Sequence, residues 1–366
     1  MVDQRIEKMA ELLVKYSLDV KPKQKMFIWS GTAAAPLVEA VYRKVIDIGA
    51  FPFVMWDFPA GSEYTLRHGS DEQIQHIPES VAVLYQKYDR MLRILAEENT
   101  KALSSIDPQK ISLASKARGP LLKTYMERTA RGEMKWSLTA YPTQAYAQDA
   151  DMSLAEYADF LFGACMPDQN DPVGYWSGIS KQQERIISWL KGKKKVHLVG
   201  KGTDLRLSIE GRSFINCDCR VNVPDGEIFT GPVEDSIEGH VSFSYPTIYM
   251  TREVTGVQLE FRKGRVVEAS ATKNQDFLLK TLDIDAGARG VGEFAIGTNE
   301  GIQKFTRQIL FDEKIGGSFH MALGAGYPES GSKAQSVIHW DMICDLRDGY
   351  IEVDGEKLYE NGKFVI

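Results

Sequence analysis

The chain is poor in cysteine: Cys165, Cys217, Cys219 and Cys344 are the only four in 366 residues. A chain of that length can bury a large core, so no disulfide framework is needed to hold it together. Cys217-Asp218-Cys219 lacks the two-residue spacer of zinc knuckles and reads as strand or turn filler. Long apolar runs are absent as well. No stretch reaches about 18 residues, so no membrane span is expected. Met1-Val2-Asp3-Gln4-Arg5 carries no apolar signal core, and the expected location is the cytoplasm. An excess of basic charge is also missing. The formal net charge is −6, which argues against a nucleic-acid partner or an acidic membrane surface. The one dense basic run, Lys191-Gly192-Lys193-Lys194-Lys195, lies between a helical and a strand pattern and reads as a solvated connection. Two motif classes are lacking too. There is no HExxH, which excludes a zincin helix, and no GxGxxG or GxxxxGK[ST]. Without that glycine fingerprint, the turn Ser30-Gly31-Thr32-Ala33-Ala34-Ala35 gives little support to nucleotide binding.

What remains is ordinary globular composition, 43% hydrophobic and 26% charged, which argues against long disorder. Ile6, Met9, Leu12, Leu13 and Tyr16 recur at helical spacing over residues 5–16. Residues 26–29, 51–56, 90–96 and 136–140 read as strands, with helices over 36–48 and 108–131 between them. That alternation predicts parallel βαβ units. Residues 152–165 and 180–190 read as further helices. From Lys195 onward the texture changes to short strands and Gly-rich turns: strands over 196–199, 204–209, 240–245, 257–261 and 266–271, with a helix over 274–284. Lys263-Gly264, Asp354-Gly355 and Asn361-Gly362 have the composition of hairpin turns. The expected fold class is therefore α/β plus mixed α+β. A βαβ-type domain over residues 1–180 precedes a β-rich domain over residues 181–366, with the changeover inside 165–195.

The residues that can carry chemistry lie in the second half. Ser336-Val337-Ile338-His339-Trp340-Asp341-Met342-Ile343-Cys344-Asp345 has the apolar enrichment of a buried strand. Residues i and i+2 of a strand share a face, so His339 and Asp341 project together while Ile338, Trp340 and Met342 pack on the other side. This spacing suits half of a divalent-metal site, and equally an aspartate that orients a core histidine. Ser318-Phe319-His320-Met321-Ala322-Leu323 is a second short strand with a histidine among apolar residues. Gly292-Glu293-Phe294-Ala295-Ile296-Gly297 buries a glutamate, which is costly unless it is paired or bound to a cation. Pro224-Asp225-Gly226-Glu227 is a turn sequence that delivers Glu227 to the apolar Ile228-Phe229. Tyr327, soon after His320, is either an oxyanion donor or an aromatic plug on a loop. Asp225, Glu300, Glu313 and Glu329 are further acids, read for the most part as structural.

Four segments, residues 222–230, 292–299, 316–324 and 338–341, together with Ala140-Tyr141-Pro142-Thr143-Gln144 and Phe305-Thr306-Arg307, resemble the thermophilic aminopeptidase family (aminopeptidase T/S, peptidase family M29). The likeness spans nearly the whole chain in the same motif order. It implies an N-terminal α/β domain, a C-terminal catalytic domain with two adjacent metal ions (zinc, cobalt or manganese), and a homodimer acting on peptides with a free N-terminus. By motif, Glu227, Glu293, His320, His339 and Asp341 fall on the family's metal-ligand positions, and Tyr327 on its active-site tyrosine. Five such ligands exceed the three plus water of one catalytic zinc and suit two cations sharing a carboxylate, for which Glu293 is the choice. Glu293 is also a candidate proton shuttle, and Arg307 a candidate binder of the peptide or the oxyanion. Another two-metal hydrolase, such as a phosphoesterase, would use the same ligands, although the segments are poor in the Lys and Arg of phosphate sites. A metal-stabilised peptide-binding protein without turnover is the reading from a different class.

Overall fold

The computed structural model describes residues 3–250 and 252–366. Met1 and Val2 of the N-terminal segment read above, and Thr251, lie outside the described residues. Two compact units emerge. The first is Met1–Val173 with Cys219–Val223, and the second is Gly174–Asp218 with Pro224–Ile366.

The first unit is built on a five-stranded parallel sheet in the order Phe51–Trp56, Lys25–Ser30, Arg90–Leu95, Lys135–Ala140, Asn222–Val223. The near-continuous apolar run Met26-Phe27-Ile28 is wholly buried, as expected of a strand covered on both faces. Helix Ala35–Asp47 turns Leu37, Val38, Ala40, Val41 and Val45 inward, the spacing its sequence predicts. Two helical expectations are modified. The pattern over residues 5–16 becomes an α-helix, Gln4–Glu11, followed by a π-helical stretch, Leu12–Ser17. The wider turn lets the consecutive Leu12, Leu13 and Val14 all be buried. The helix expected over 108–131 is two helices, Pro108–Ala117 and Gly119–Ala130, because Pro120 offers no N–H and crowds the preceding turn. The fifth strand, Asn222–Val223, comes from a distant part of the chain and was not foreseen.

Helix Pro172–Leu190 begins at the end of the first unit and leads, in the second, into two large antiparallel sheets and a two-stranded hairpin, Thr247–Tyr249 with Arg252–Val254. The larger has eight strands, in the order Arg265–Ser270, Gln258–Arg262, Glu238–Ser242, Thr203–Ser208, Lys195–Gly200, Tyr350–Val353, Glu356–Glu360, Lys363–Phe364. The expected turns appear at Lys263-Gly264, Asp354-Gly355 and Asn361-Gly362, each with both residues at positive φ. The smaller sheet has five strands, in the order His339–Asp345, Ser318–Gly324, Val291–Gly297, Glu227–Thr230, Ile215–Cys217. Trp340, Met342 and Cys344, then Phe319, Met321 and Leu323, then Phe294, Ile296 and Ile228 point from the smaller sheet into one core. Leu198, Leu205, Leu259, Phe261 and Ile351 of the larger sheet enter the same core. Strict alternation along each strand sends the residues between them to the opposite face, and that face carries the site. Among the described residues no helix is long and apolar enough to cross a membrane.

Leu198 is fully buried in this core and its strand carries none of the candidate site residues. Leu198→Ala is expected to destabilise the protein by about 2–5 kcal/mol in urea denaturation. Leu198→Met should cost less than about 1.5 kcal/mol. Equal losses for the two would contradict the packing described.

Candidate metal centre

Alternation from the buried Phe294 and Ile296 turns Glu293 to the site face, and its strand carries a bulge just before it. The pairing register with Ser318–Gly324 shifts between Val291 and Glu293. Val291 and Phe294, three residues apart, therefore both enter the core, and Glu293 between them points away. Gly292 makes the bulge possible, since a Cβ there would stand 2.0 Å from the carbonyl oxygen of Ala325. Gly226 plays a comparable part for Glu227. Its φ is 112°, open to glycine alone at low cost, and a Cβ would meet Asn299 at 2.9 Å. Between the charged side chains the same face carries Ala322 and Ala295, whose small size leaves room beside the acids and imidazoles.

The structure brings the five charged residues singled out in the sequence into one cluster. His320 Nε2 lies 3.2 Å from Glu293 Oε1 and 3.5 Å from Glu227 Oε2. His339 Nε2 lies 3.8 Å from Glu293 Oε2 and 3.4 Å from Asp341 Oδ1. Glu293 thus offers one oxygen to each histidine. His339 Nδ1 is 2.8 Å from the carbonyl oxygen of Ala325, to which it donates, so its Nε2 is the atom turned to the acids. Tyr327 stands against His339, with ring centroids 5.3 Å apart, and against Phe229 at 5.5 Å. Burial is graded across the cluster. His320 is sealed, whereas the His339 side chain is 29% exposed, so access is from the His339 and Tyr327 side.

Two neighbours were not assigned to the site from the sequence. Glu313, read there among the structural acids, can approach His320 and Asp341, the three ligand atoms lying within 4.8 Å of one another. Lys314 is fully buried, pairs with Glu313, and lies 3.8 Å from Glu227 Oε1. Its position in a short turn after helix Ile309–Asp312 left no sequence signal of burial. Asp225 and Cys217 also come near Glu227, so Cys217 is more than strand filler, while Cys344 and Cys165 are buried elsewhere. No cysteine forms a disulfide. Glu300 lines a separate cavity, Glu329 sits in the turn Pro328–Ser330, and Arg307 pairs with Glu253 at 3.0 Å.

Electrostatics bear on what this cluster can hold. Burial pushes the Glu227 carboxyl up to about 8, opposed by the Lys314 ammonium. Burial also lowers His320, but the Glu293 hydrogen bond and the charges of Glu227 and Glu293 outweigh it and raise the imidazole to about 9. His339 likewise rises to about 10, through its contact with Asp341 and the charge of Glu293. Without a cation the imidazoles keep protons and neutralise the acids themselves. Glu227 Oε2 and Asp341 Oδ1 are buried and accept no hydrogen bond. Buried carboxylate oxygens without donors are costly, and divalent cations would satisfy them. Carboxylate and imidazole donors of this kind suit zinc, cobalt or manganese, so the residues fit a metal.

Comparison with known proteins agrees. The model of the thermophilic metalloprotease family (M29) matches residues 2–364. Aminopeptidase 2 of Geobacillus stearothermophilus is 28% identical, over 96% of this chain and 94% of the relative. Aminopeptidase T of Thermus thermophilus is 26% identical, over 98% of this chain and 95% of the relative. The solved structure of wild-type AmpT from Thermus thermophilus superposes with a TM-score of 0.87 at 23% identity, covering 99% of each chain, which shows a shared fold. The fold, the cluster of acids and imidazoles and the family match converge: this chain belongs to the thermophilic metalloprotease family M29 and is a metal-dependent peptidase.

Proposed function

We propose that the chain is an aminopeptidase that removes N-terminal residues from peptides at a site for two divalent cations. The observation that carries this reading is Glu293, whose two carboxylate oxygens face two different histidines at 3.2 and 3.8 Å. One cation would be held by Glu227, Glu293 and His320, and the other by Glu293, His339 and Asp341. Cations bound there would supply an acidified water and a polarised carbonyl at neutral pH. The relatives named aminopeptidase support a substrate with a free α-amino group.

The chain's own residues would do the rest. Tyr327 keeps its proton, because burial and the nearby carboxylates of Glu293 and Asp341 push its phenol up. Its hydroxyl can therefore donate to the oxyanion that forms when the scissile carbonyl is attacked. With both Glu293 oxygens engaged by the cations, Glu313, an acid within reach of the same space, would take up and return the proton. The acid-rich surroundings favour the positive α-amino group of a peptide and disfavour a phosphoester, which favours peptidase over phosphoesterase chemistry. The opening beside His339 favours turnover over a closed structural metal. By family likeness the same reading includes a homodimer.

Three measurements test it. Elemental analysis should find two divalent ions per subunit, and chelation should abolish hydrolysis of aminoacyl-p-nitroanilides. Glu293→Gln and His339→Ala should each lose metal and activity by more than the about 10–100-fold typical of residues that only orient a ligand. Full activity in either variant ends the assignment. The third is pH. Metal must displace the protons on His320 and His339, raised to about 9 and 10, so affinity increases as pH rises. Chelator competition between about pH 6 and 8 should show the joint affinity for the two cations rising by at least about two log units per pH unit, one for each imidazole, with the raised Glu227 carboxyl adding to the slope. A pH-independent affinity would contradict the ligand roles of both histidines.

A further inference from the structure

Among the described residues Lys314 is the only buried lysine, and its side chain lies wholly out of solvent. Lysine is almost never found so deep unless it is paired. Here the partners are acids. The ammonium pairs with Glu313 and lies 3.8 Å from Glu227 Oε1. Burial works against its charge, and the carboxylates of Glu313, Glu227 and Asp225 outweigh that effect, so it stays protonated. The proposed reaction gives this ammonium nothing to do, yet it stands beside a metal-ligand position.

The backbone fixes what surrounds it. Asn299 N donates to the Lys314 carbonyl at 3.1 Å, and Asn299 Nδ2 donates to the Asp225 carbonyl at 2.8 Å. The next residue, Gly226, donates to the Cys217 carbonyl at 3.1 Å. Glu227 then stands directly opposite Cys217 in the antiparallel pair of strands Glu227–Thr230 and Ile215–Cys217. Opposed residues of such a pair share a face, with β-carbons about 4.5–5.5 Å apart, so the thiol and the carboxyl emerge side by side. The Cys217 sulfur and one oxygen each of Asp225 and Glu227 lie within 4.8 Å of one another. This trio shares Glu227, but no other member, with the trio of Glu227, Glu293 and His320. One sulfur and two carboxylate oxygens suit zinc or cobalt. Glu227 divides its oxygens. Oε2, buried and without a hydrogen bond, lies 3.5 Å from His320 Nε2, while Oε1 faces the ammonium. Like charges repel strongly where water is excluded, so an ammonium and a divalent ion beside Cys217 are alternative occupants.

We propose that the Lys314 ammonium occupies a third cation position of this centre, bounded by Cys217, Asp225 and Glu227, and thereby fixes the complement of divalent ions at two. The inference rests on the two-cation reading above. A third divalent ion would compete for Glu227, whose Oε2 serves the cation beside His320. A lysine tethered to the backbone neutralises the same acids, leaves Oε2 to that cation, and cannot be exchanged or chelated.

The test loads metal-free protein with excess cobalt(II) and reads two quantities: bound cobalt by elemental analysis, and the near-ultraviolet spectrum. Sulfur bound to cobalt gives a charge-transfer band there that carboxylate and imidazole ligands do not. The wild type should hold two ions per subunit and show no such band. Lys314→Ser vacates the position and should hold three, with the band present, and adding Cys217→Ser should remove the band. Two ions in Lys314→Ser, with or without the band, overturn the assignment while leaving the two-cation reading intact. Three ions without the band put the extra ion elsewhere and overturn it likewise. So does a third ion or a band in the wild type, or a band that survives Cys217→Ser. A Lys314→Ser chain that stays unfolded in excess cobalt also overturns it, because the ion then fails to replace the ammonium. A wild type that binds fewer than two divalent ions overturns the two-cation reading, and this assignment with it.

Discussion

The strict two-sidedness of the five-stranded sheet is the constraint on which the site depends. Its one face is sealed by Trp340, Met342, Phe319, Met321, Phe294 and Ile296, all buried in the core of the second unit. Because successive side chains alternate, sealing that face forces His339, Asp341, His320 and Glu293 to emerge together on the other. The backbone that carries them cannot slip by one residue without exchanging core for charge. The bulge at Gly292 is the one departure, and it returns Val291 to the core while Glu293 stays on the site face.

Such a concentration of charge is expensive in a buried place. Glu227, Glu293 and Asp341 compete for the same few partners, and two of their oxygens receive no hydrogen bond. The molecule offsets this with the fully buried ammonium of Lys314 and with two imidazoles whose affinity for protons is raised. Protons and cations are alternative occupants of the same negative potential. That competition is the physical link between the fold and a metal-dependent activity, since the protein supplies a site whose charge is balanced only when something positive is bound.

The gradient of burial gives the site a direction. His320 and Glu227 lie at the sealed end, and His339 and Tyr327 at the open one.

The sequence by itself determined the elements. Apolar enrichment marked the His320 and His339 strands, continuous apolar runs marked the parallel strands of the first unit, and turn dipeptides ending in glycine marked the hairpins, because these signals arise from neighbours a few residues apart. The site residues at Glu227, Glu293, His320, His339 and Asp341 were legible only through motif likeness; spacing alone left His339 and Asp341 open to a plain structural reading. Tertiary structure alone decided the rest. It extended the parallel sheet with the distant Asn222–Val223, buried Lys314, drew Glu313 and Cys217 toward the cluster, and joined Arg307 to Glu253. None of these could be read locally, because burial and charge pairing depend on which surfaces meet after the chain has folded, and no periodicity along the sequence encodes that meeting.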